Sequence, residues 1–248
     1  MARPFKILNF FSKKNEFEQA LIFYQKADSF LVFNQSNYWK INRIGAVRDI
    51  ANSFRKLQQY EEADSFYVEA INRYYNIDDT SKPVTALVSL LQDLSVSLTL
   101  QEDYGSSNIV LKRANELVVE LSDANQIKAT SYMYLVSNYL QLDSLDEAKI
   151  NLDSLTNLIT EEHPSYGVYF MIKGRYSYQK NEYNKSSEYY LQTLEKYKEK
   201  KMTSKSFVQL YHLLGRNMMA LAKYKKSTEY VEKGLSLVAS ENLQNSLH

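Results

Sequence analysis

One pattern of large and small side chains recurs along the chain at helical spacing. Its clearest copy is the stripe Tyr60/Ala63/Tyr67/Ala70, whose members are separated by three, four and three residues. These offsets place the four side chains on one face of an α-helix, where alternating bulk makes ridges and holes for a second helix. The same stripe occurs at Phe17/Ala20/Tyr24/Ala27, Tyr104/Ser107/Leu111/Ala114, Leu145/Ala148/Leu152/Leu155, Tyr183/Ser186/Tyr190/Thr193 and Tyr224/Ser227/Val231/Gly234. The pattern predicts six copies of one helical repeat.

The first small residue of each stripe serves as a register mark for its repeat. The marks are Ala20, Ala63, Ser107, Ala148, Ser186 and Ser227, and successive marks lie 38 to 44 residues apart. A second apolar pattern precedes four of the marks by 16, 13, 12 and 9 residues: Val47/Ile50/Ala51/Phe54, Leu91/Leu94/Ser95/Leu98, Tyr132/Leu135/Val136/Tyr139 and Tyr211/Leu214/Gly215/Met218. Each stripe is therefore expected on the second helix of a pair, with the small residue of the first helix allowing close approach.

This combined pattern resembles the tetratricopeptide repeat (TPR) family, in which a large–large–small–aromatic first helix precedes an aromatic–small–aromatic–small second helix. The resemblance covers nearly the whole chain. It implies an all-α fold, a right-handed superhelical α-solenoid of about six antiparallel helix pairs. Two features depart from the family: its usual repeat is about 34 residues long, and its closing proline is missing here. The extra residues imply longer helices and longer loops between repeats.

The resemblance implies a single TPR-like domain over residues 1–248. The repeats are expected at about 4–34, 37–77, 83–122, 125–160, 164–200 and 204–239. Repeat one begins at Pro4 with a short first helix, and repeat five matches the pattern loosely around Gly174. Residues 240–248 are expected to be a tail or the start of a truncated further helix, because solenoids usually end in a polar capping helix.

The composition agrees with an all-helical chain and limits the partners and the compartment that we expect for it. Only 6 glycines and 3 prolines are present, too few for the many turns of a sandwich or barrel. The net charge of +1 predicts no direct binding to nucleic acid, and no apolar run reaches the roughly 18–20 residues that span a bilayer. The chain has no cysteine, which excludes disulfides and thiolate chemistry. We expect a cytoplasmic protein with no membrane contact of its own, or a periplasmic one if the native chain carries a targeting segment.

The sequence offers little for catalysis. It has no glycine-rich phosphate loop, no HExxH motif, no nucleophile elbow and no carboxylate-rich calcium loop. Neighbouring acids such as Glu61 and Glu62 point in different directions on a helix and do not make an acid–base pair. We therefore predict a non-enzyme without cofactor or metal. A weaker alternative is an enzyme whose site lies around Arg175, His212 and Arg216.

A surface remains as the candidate functional feature. In a superhelix of helix pairs, the first helices line the concave side, and their non-packing positions face the groove. These positions hold arginines, amides, methionines and tyrosines, which suit an extended peptide or a partner helix. The predicted binding residues are Arg48, Asn52, Arg55, Gln92, Met133, Tyr134, Met171, Arg175, Tyr178, His212 and Arg216. The alternative is that these positions are polar only because they are exposed.

Some members of the TPR family hold a peptide's C-terminal carboxylate with a clamp of basic and asparagine residues on three successive first helices. Arg48 and Asn52 occupy the first two clamp positions. Asp93 stands where the next asparagine belongs, and the last two positions hold Thr130 and Tyr134 instead of basic residues. The complete clamp is therefore not expected. Arg175 and Arg216, which are equivalent in successive repeats, are better candidates for an anionic contact.

Two function classes follow from this interpretation. The first is a non-catalytic scaffold that binds a protein or peptide ligand in its concave groove. The second is a sensory or regulatory TPR segment of a larger bacterial signalling protein, such as a histidine kinase or transcriptional regulator. Its long, tyrosine-rich repeats are similar to arrays in such proteins. A C-terminal output domain and a homodimer are both compatible with this second interpretation.

Overall fold

The computed structural model describes residues 17–31, 37–78, 82–118 and 124–245. Within these ranges the chain forms eleven helices and no strand. The helices are α1 (Phe17–Leu31), α2 (Asn37–Lys56), α3 (Tyr60–Tyr75), α4 (Val84–Leu100), α5 (Tyr104–Leu117), α6 (Ala124–Gln141), α7 (Leu145–Thr156), α8 (Tyr166–Gln179), α9 (Tyr183–Glu199), α10 (Ser204–Ala220) and α11 (Tyr224–Asn245). The predicted all-α, TPR-like solenoid class is confirmed.

The chain divides into two compact units between Tyr134 and Leu135. In the first unit, α2 packs on α3 and α4 packs on α5, while α1 packs on α2 and α3 packs on α4. In the second unit, α8 packs on α9 and α10 packs on α11, and α9 packs on α10. Within each unit, these helices therefore contact their neighbours in the sequence. The prediction of one repeat domain over the whole chain stays a prediction.

The turn inside each helix pair has the same geometry in all five pairs. The residue five positions before the register mark has a left-handed backbone, with φ between 53° and 63°, at Gln58, Glu102, Asp143, Asn181 and Ala222. The next N–H donates to the carbonyl five residues back, as in Gln59 to Phe54 at 3.0 Å and Lys223 to Met218 at 2.9 Å. This 6→1 bond closes the first helix in a Schellman motif. The sequence places no glycine at any of these positions.

The register marks themselves are contact points between the paired helices. Where the mark is serine, its hydroxyl donates to a carbonyl of the first helix: Ser107 to Ser95 at 2.9 Å, Ser186 to Gly174 at 2.8 Å and Ser227 to Gly215 at 2.9 Å. Each accepting residue precedes its mark by twelve positions and is the small residue of the first helix. The contact between the two small residues therefore brings the serine hydroxyl within reach of a buried backbone carbonyl. The marks Ala63 and Ala148 have no hydroxyl and cannot form this bond.

Gly174 shows how close the paired helices come. A Cβ added there would overlap the ring of Tyr190, reaching its Cζ at 3.1 Å and two nearer ring carbons. Tyr190 is buried and belongs to the core of the second unit with Met171, Tyr197, Leu210 and Leu214. The glycine therefore makes room for a large aromatic ring at the α8–α9 contact. In the first unit, the stripe residues Ala63, Tyr67 and Ala70 are likewise fully buried.

Two sequence-based expectations concern the ends of the chain. The first helix of repeat one, expected from Pro4 to Phe11, lies outside the described residues. The last helix was expected to end near Ala239, whereas α11 continues to Asn245. Residues 240–245 therefore extend the second helix of repeat six, and residues 246–248 lie outside the described ranges.

Candidate functional site

The predicted binding residues of the first unit form an internally paired polar cluster. Arg48 on α2 donates through Nε to Asp93 Oδ2 on α4 at 2.5 Å. Arg55, two turns further along α2, places its Nη2 3.9 Å from the other carboxylate oxygen of Asp93. The carboxylate of Asp93 thus forms ion pairs with both arginines. Asp93, which departs from the clamp pattern of the TPR family, is therefore the counter-ion of Arg48, which occupies the first clamp position.

The hydroxyl of Tyr67 ties this cluster to the core. Tyr67 is fully buried on α3, and its hydroxyl accepts a hydrogen bond from Arg55 Nε at 3.0 Å. The same hydroxyl donates to Asn52 Oδ1 at 2.8 Å, and Arg55 Nη2 donates to that oxygen at 2.8 Å. Asn52 and Arg55 are therefore held by bonds within the protein. Burial raises the pKa of the Tyr67 hydroxyl above its ordinary value, against the lowering effect of Arg55.

The cluster continues onto α6 through Gln92 and Tyr134. The Gln92 side chain on α4 donates to the Ile127 carbonyl at 3.1 Å and to Ser131 Oγ at 3.0 Å. Burial raises the pKa of Tyr134, which the charge of Arg55 lowers and that of Asp93 raises. Gln92 therefore acts as a tie between α4 and α6, while Tyr134 lies within electrostatic range of the Arg55–Asp93 pair.

Asp49 is a carboxylate next to this cluster whose pKa is perturbed. Burial raises the pKa of its carboxyl group to about 6, an effect that Arg48 opposes and Asp93 reinforces. The carboxylate in turn contributes to raising the pKa of Tyr24 to about 12, after burial of that tyrosine. The first unit thus holds two carboxylates, Asp49 and Asp93, within range of Arg48.

The second unit has a cavity of about 200 Å³ between its helices. It is lined by Gln141, Arg175, Tyr178, Gln179, Tyr190, Leu213 and Arg216. Arg175 on α8 and Arg216 on α10 each precede their register mark by eleven positions, so the repeat itself brings them to the same cavity. Three predicted binding residues, Arg175, Tyr178 and Arg216, meet here.

Arg216 is exposed and stacks on an aromatic ring of the neighbouring pair. Its guanidinium carbon lies 5.3 Å from the centre of the Tyr178 ring. Tyr178 is held edge-on by Tyr183, with the ring centres 5.3 Å apart. Within the described part of the chain, Arg216 forms no ion pair with a carboxylate. A guanidinium stacked in this way keeps its N–H edge directed for bidentate recognition of a planar anion.

Tyr190 forms the buried wall of the cavity. Burial raises the pKa of its hydroxyl to about 12, and this rise is opposed by a hydrogen bond with Ser186 and then by the charges of Arg175 and Arg216. Both arginines therefore act electrostatically on this wall. Gln179 lies beside it and donates to the Leu140 carbonyl on α6 at 2.7 Å. Its other amide atom, Oε1, is buried and has no hydrogen-bond partner among the described residues.

Three predicted binding residues, Met133, Met171 and His212, belong neither to this cavity nor to the polar cluster of the first unit. Met133 and Met171 are buried, and the Met171 sulfur accepts a long hydrogen bond from the Tyr197 hydroxyl at 3.9 Å. Both methionines therefore pack inside the fold. His212 is exposed on α10. None of the three lines the cavity with Arg175 and Arg216.

Tyr67 and Tyr190 are site residues that sequence reasoning treated only as packing. Both tyrosines follow their register mark by four positions. In both cases, polar residues of the first helices lie around the tyrosine hydroxyl. A signal was present in the residue type: buried tyrosines normally find a partner for their hydroxyl. Among the six copies of the stripe, only three place tyrosine at this position.

The described ranges show neither of two other kinds of site. No helix there is long and apolar enough to cross a membrane. No group of three or more histidine, aspartate or glutamate side chains there is arranged to hold a metal ion.

The comparisons with known proteins identify the fold. No protein-family profile matches the sequence, and no curated protein matches it. Among solved structures, BtubC from P. vanneervenii has a TM-score of 0.72 at 15% identity, over 91% of this chain and 92% of that chain. The TPR-like repeats of a putative kinesin light chain from Podosopora anserina match with a TM-score of 0.61 at 14% identity, over 82% and 97%. The chain has a TPR-like fold.

A third structure with this TPR-like fold has a ligand in its description. The Rap conjugation gene regulator of the plasmid pLS20, in complex with a Phr peptide, has a TM-score of 0.69 at 14% identity. The match covers 85% of this chain and 58% of that chain. At this level of identity the similarity shows the fold alone.

Proposed function

We propose that this chain is a non-catalytic scaffold that binds a protein or peptide segment, anchored by a carboxylate between Arg175 and Arg216. One observation carries the proposal: the two arginines occupy equivalent positions in successive repeats and line one cavity with Tyr178 and Tyr190. The anchoring carboxylate belongs to an acidic side chain or to a peptide C-terminus. Both sources present the same planar anion to a guanidinium.

The size of the cavity supports a single anchoring group. Small-molecule sites usually have a volume of about 300–1,000 Å³, and this cavity has about 200 Å³. A volume of this kind suits one side chain or terminus of a longer ligand. Leu213 and the Tyr178 ring supply apolar contact, while Gln141 is exposed at the cavity and adds an amide.

The exposure of Arg216 favours the second unit over the first as the anchoring site. Arg48 and Arg55 already share the carboxylate of Asp93, and Arg55 also bonds Tyr67 and Asn52. A ligand carboxylate would have to compete with these internal bonds. Arg216 is instead exposed, with its described contact being the Tyr178 ring. The proposed anchor therefore excludes the polar cluster of the first unit, and it omits the buried Met133 and Met171.

The proposal is tested with four pools of fluorescent peptides of equal length. The pools combine a central Glu or Gln with a C-terminal acid or amide, and each is titrated against the full chain. At least one carboxylate-bearing pool is expected to bind about tenfold or more tightly than the Gln-amide pool, because hydrogen bonds to charged groups contribute about 1.5–3 kcal/mol. The preferred pool also identifies the source of the carboxylate.

The double variant Arg175→Ala/Arg216→Ala is expected to abolish this preference. Arg113→Ala is the matched control, since Arg113 is an exposed arginine of the other unit that pairs with Glu116 at 2.9 Å. The Arg113→Ala variant is expected to prefer the same peptide pools as the wild type. If the double variant stays folded and keeps the carboxylate preference, the arginine cavity is not the anchor.

The second candidate function is a peptide-responsive regulatory segment of a signalling protein. The observation that favours it is the shared fold with a Rap regulator solved with a Phr peptide. The native reading frame discriminates between the two functions. A kinase or DNA-binding domain encoded next to this segment supports the regulatory function, while a stop codon directly after His248 and a start codon at Met1 contradict it.

A further inference from the structure

The last described helix, α11, exposes two positions that are buried on most of the earlier second helices. Four positions after the register mark, the earlier second helices carry Tyr24, Tyr67, Leu111, Leu152 and Tyr190, none of which is more than 6% exposed. Val231 at the same position is 44% exposed. Eleven positions after the mark, Tyr74, Val118 and Tyr197 are at most 4% exposed and Ile159 is half-buried, whereas Val238 is 39% exposed. Val231 lies close to Gly215 of α10, since a Cβ added at that glycine would be 3.0 Å from Val231 Cγ2. Within the described ranges, no helix other than α10 packs on α11.

The contact that covers this face in earlier repeats is a helix. In the first unit α4 packs on α3, and in the second unit α10 packs on α9. The other face of α11 is already used: Ser227 bonds the Gly215 carbonyl of α10, and a Cβ at Gly234 would lie 3.7 Å from Tyr211 Cβ. A second helix would therefore approach α11 from the side of Val231 and Val238.

The exposed residues on this face form a seam with the spacing of a coiled coil. The seam consists of Tyr224, Thr228, Val231, Leu235 and Val238, separated alternately by four and three residues, and all five side chains are exposed. Leu235 is 63% exposed. Alternating four–three spacing is the heptad pattern by which two helices pack knobs into holes. The seam therefore fits one long helix as its partner.

The charged residues beside the seam can form ion pairs with those of a second copy when the two α11 helices are antiparallel. Lys225 and Glu232 are exposed one heptad apart, and helical spacing puts them on the flank of the seam opposite Ser227 and Gly234. Two antiparallel copies of α11 can be aligned with Tyr224 beside Leu235 and Thr228 beside Val231 of the second copy. Lys225 then lies beside Glu232 of the second copy, and twofold symmetry forms this ion pair twice. A parallel pair at equal register brings neither residue to an opposite charge on this flank.

We propose that the α11 seam binds a second copy of this chain, with the two α11 helices antiparallel. The proposal is independent of the arginine cavity, since no seam residue lines that cavity. The helix supplies the necessary length, because its 22 residues extend over about 33 Å at 1.5 Å per residue. The interface is isologous, so the same seam is buried on both copies.

The first test is the mass of the full chain by sedimentation equilibrium across a dilution series. The wild type is expected at twice its monomer mass of 29.0 kDa. Leu235→Glu places a charge in the seam and is expected to return the mass to 29.0 kDa. Ile109→Glu is the control, because Ile109 is 71% exposed on α5 and outside the seam. A monomeric wild type, or a Leu235→Glu variant that stays dimeric, overturns the proposal.

The second test uses the absence of cysteine from the sequence. Lys225→Cys and Glu232→Cys are prepared separately and oxidised alone and as a mixture. The antiparallel arrangement is expected to give a disulfide-linked dimer only in the mixture. Tyr224→Cys alone is expected to stay unlinked, because antiparallel helices place the two copies of this residue at opposite ends of the contact. Efficient linkage of Tyr224→Cys alone contradicts the antiparallel arrangement.

Discussion

Asp49→Asn is expected to stabilise this protein at neutral pH, although it removes a carboxylate beside an arginine. Burial raises the pKa of Asp49 from 3.8 to about 6, despite the opposing charge of Arg48. The ionised carboxylate is thus less stable in the folded chain than in the unfolded chain. Asparagine has a similar shape and carries no charge, so the substitution removes this cost.

The magnitude follows from the difference between the two pKa values. Each unit of pKa corresponds to about 1.36 kcal/mol, so a rise from 3.8 to about 6 corresponds to a loss of up to about 3 kcal/mol at neutral pH. Because the folded-state pKa is the higher one, the contribution of the neutral carboxyl is complete below the unfolded-state value. It is lost as pH rises through the folded-state value. About half of the loss is already present at about pH 5, and nearly all of it at about pH 7.

The assay is urea denaturation of the wild type and Asp49→Asn at about pH 5 and about pH 7. The advantage of the variant in free energy of unfolding is expected to grow by about 1.3 kcal/mol between these two pH values. Asp78→Asn is the control, because Asp78 is an exposed carboxylate in the same unit. An Asp49→Asn variant that is no more stable at neutral pH, or whose advantage does not change with pH, refutes the reasoning.

Two further predictions test the helix pairs. Gly174→Ala is expected to lower the free energy of unfolding by about 1–3 kcal/mol through overpacking, since the new Cβ would overlap the buried Tyr190 ring; Gly105→Ala, where the nearest atom is 3.8 Å away, should cause no such loss. Ala222→Gly is expected to raise the free energy of unfolding by about 0.5–1 kcal/mol, because the left-handed backbone at φ 56° strains alanine more than glycine. Ala220→Gly, within α10, should lower it by about 1 kcal/mol. Urea denaturation decides both, and an equal effect of variant and control in either pair contradicts the explanation.

The helical fold could be predicted because its signal lies in local spacing. The register marks and the small residues twelve positions before them are close in sequence, and the structure joins Ser107, Ser186 and Ser227 to those residues by hydrogen bonds. The turns are equally local, because the left-handed residues Gln58, Glu102, Asn181 and Ala222 each lie five positions before a register mark. The end of α11 was less predictable, because beyond Ala239 no repeated pattern marks where the helix stops.

The predicted binding positions were less certain because spacing does not determine burial. Met133, Met171 and His212 share one repeat position, fifteen residues before the mark, yet the two methionines are buried and the histidine is exposed. What covers each position depends on the next helix pair, which the repeat pattern does not specify. The internal pairing of Arg48 with Asp93, over 45 residues of sequence, depends in the same way on packing between pairs. Arg175 and Arg216 could be named together from the sequence because they are equivalent in successive repeats, and both line one cavity.

The turn and the serine contact together make each helix pair a sequence-local unit. Their hydrogen bonds join residues no more than twelve positions apart, as between Ser227 and Gly215. Short loops cost little entropy to close, and proteins rich in local contacts fold rapidly. Such pairs should therefore form before the contacts between pairs. Amide hydrogens should also exchange in blocks that coincide with the helix pairs, with the slowest exchange where Ala63, Ser107 and Ser186 join their partner helices.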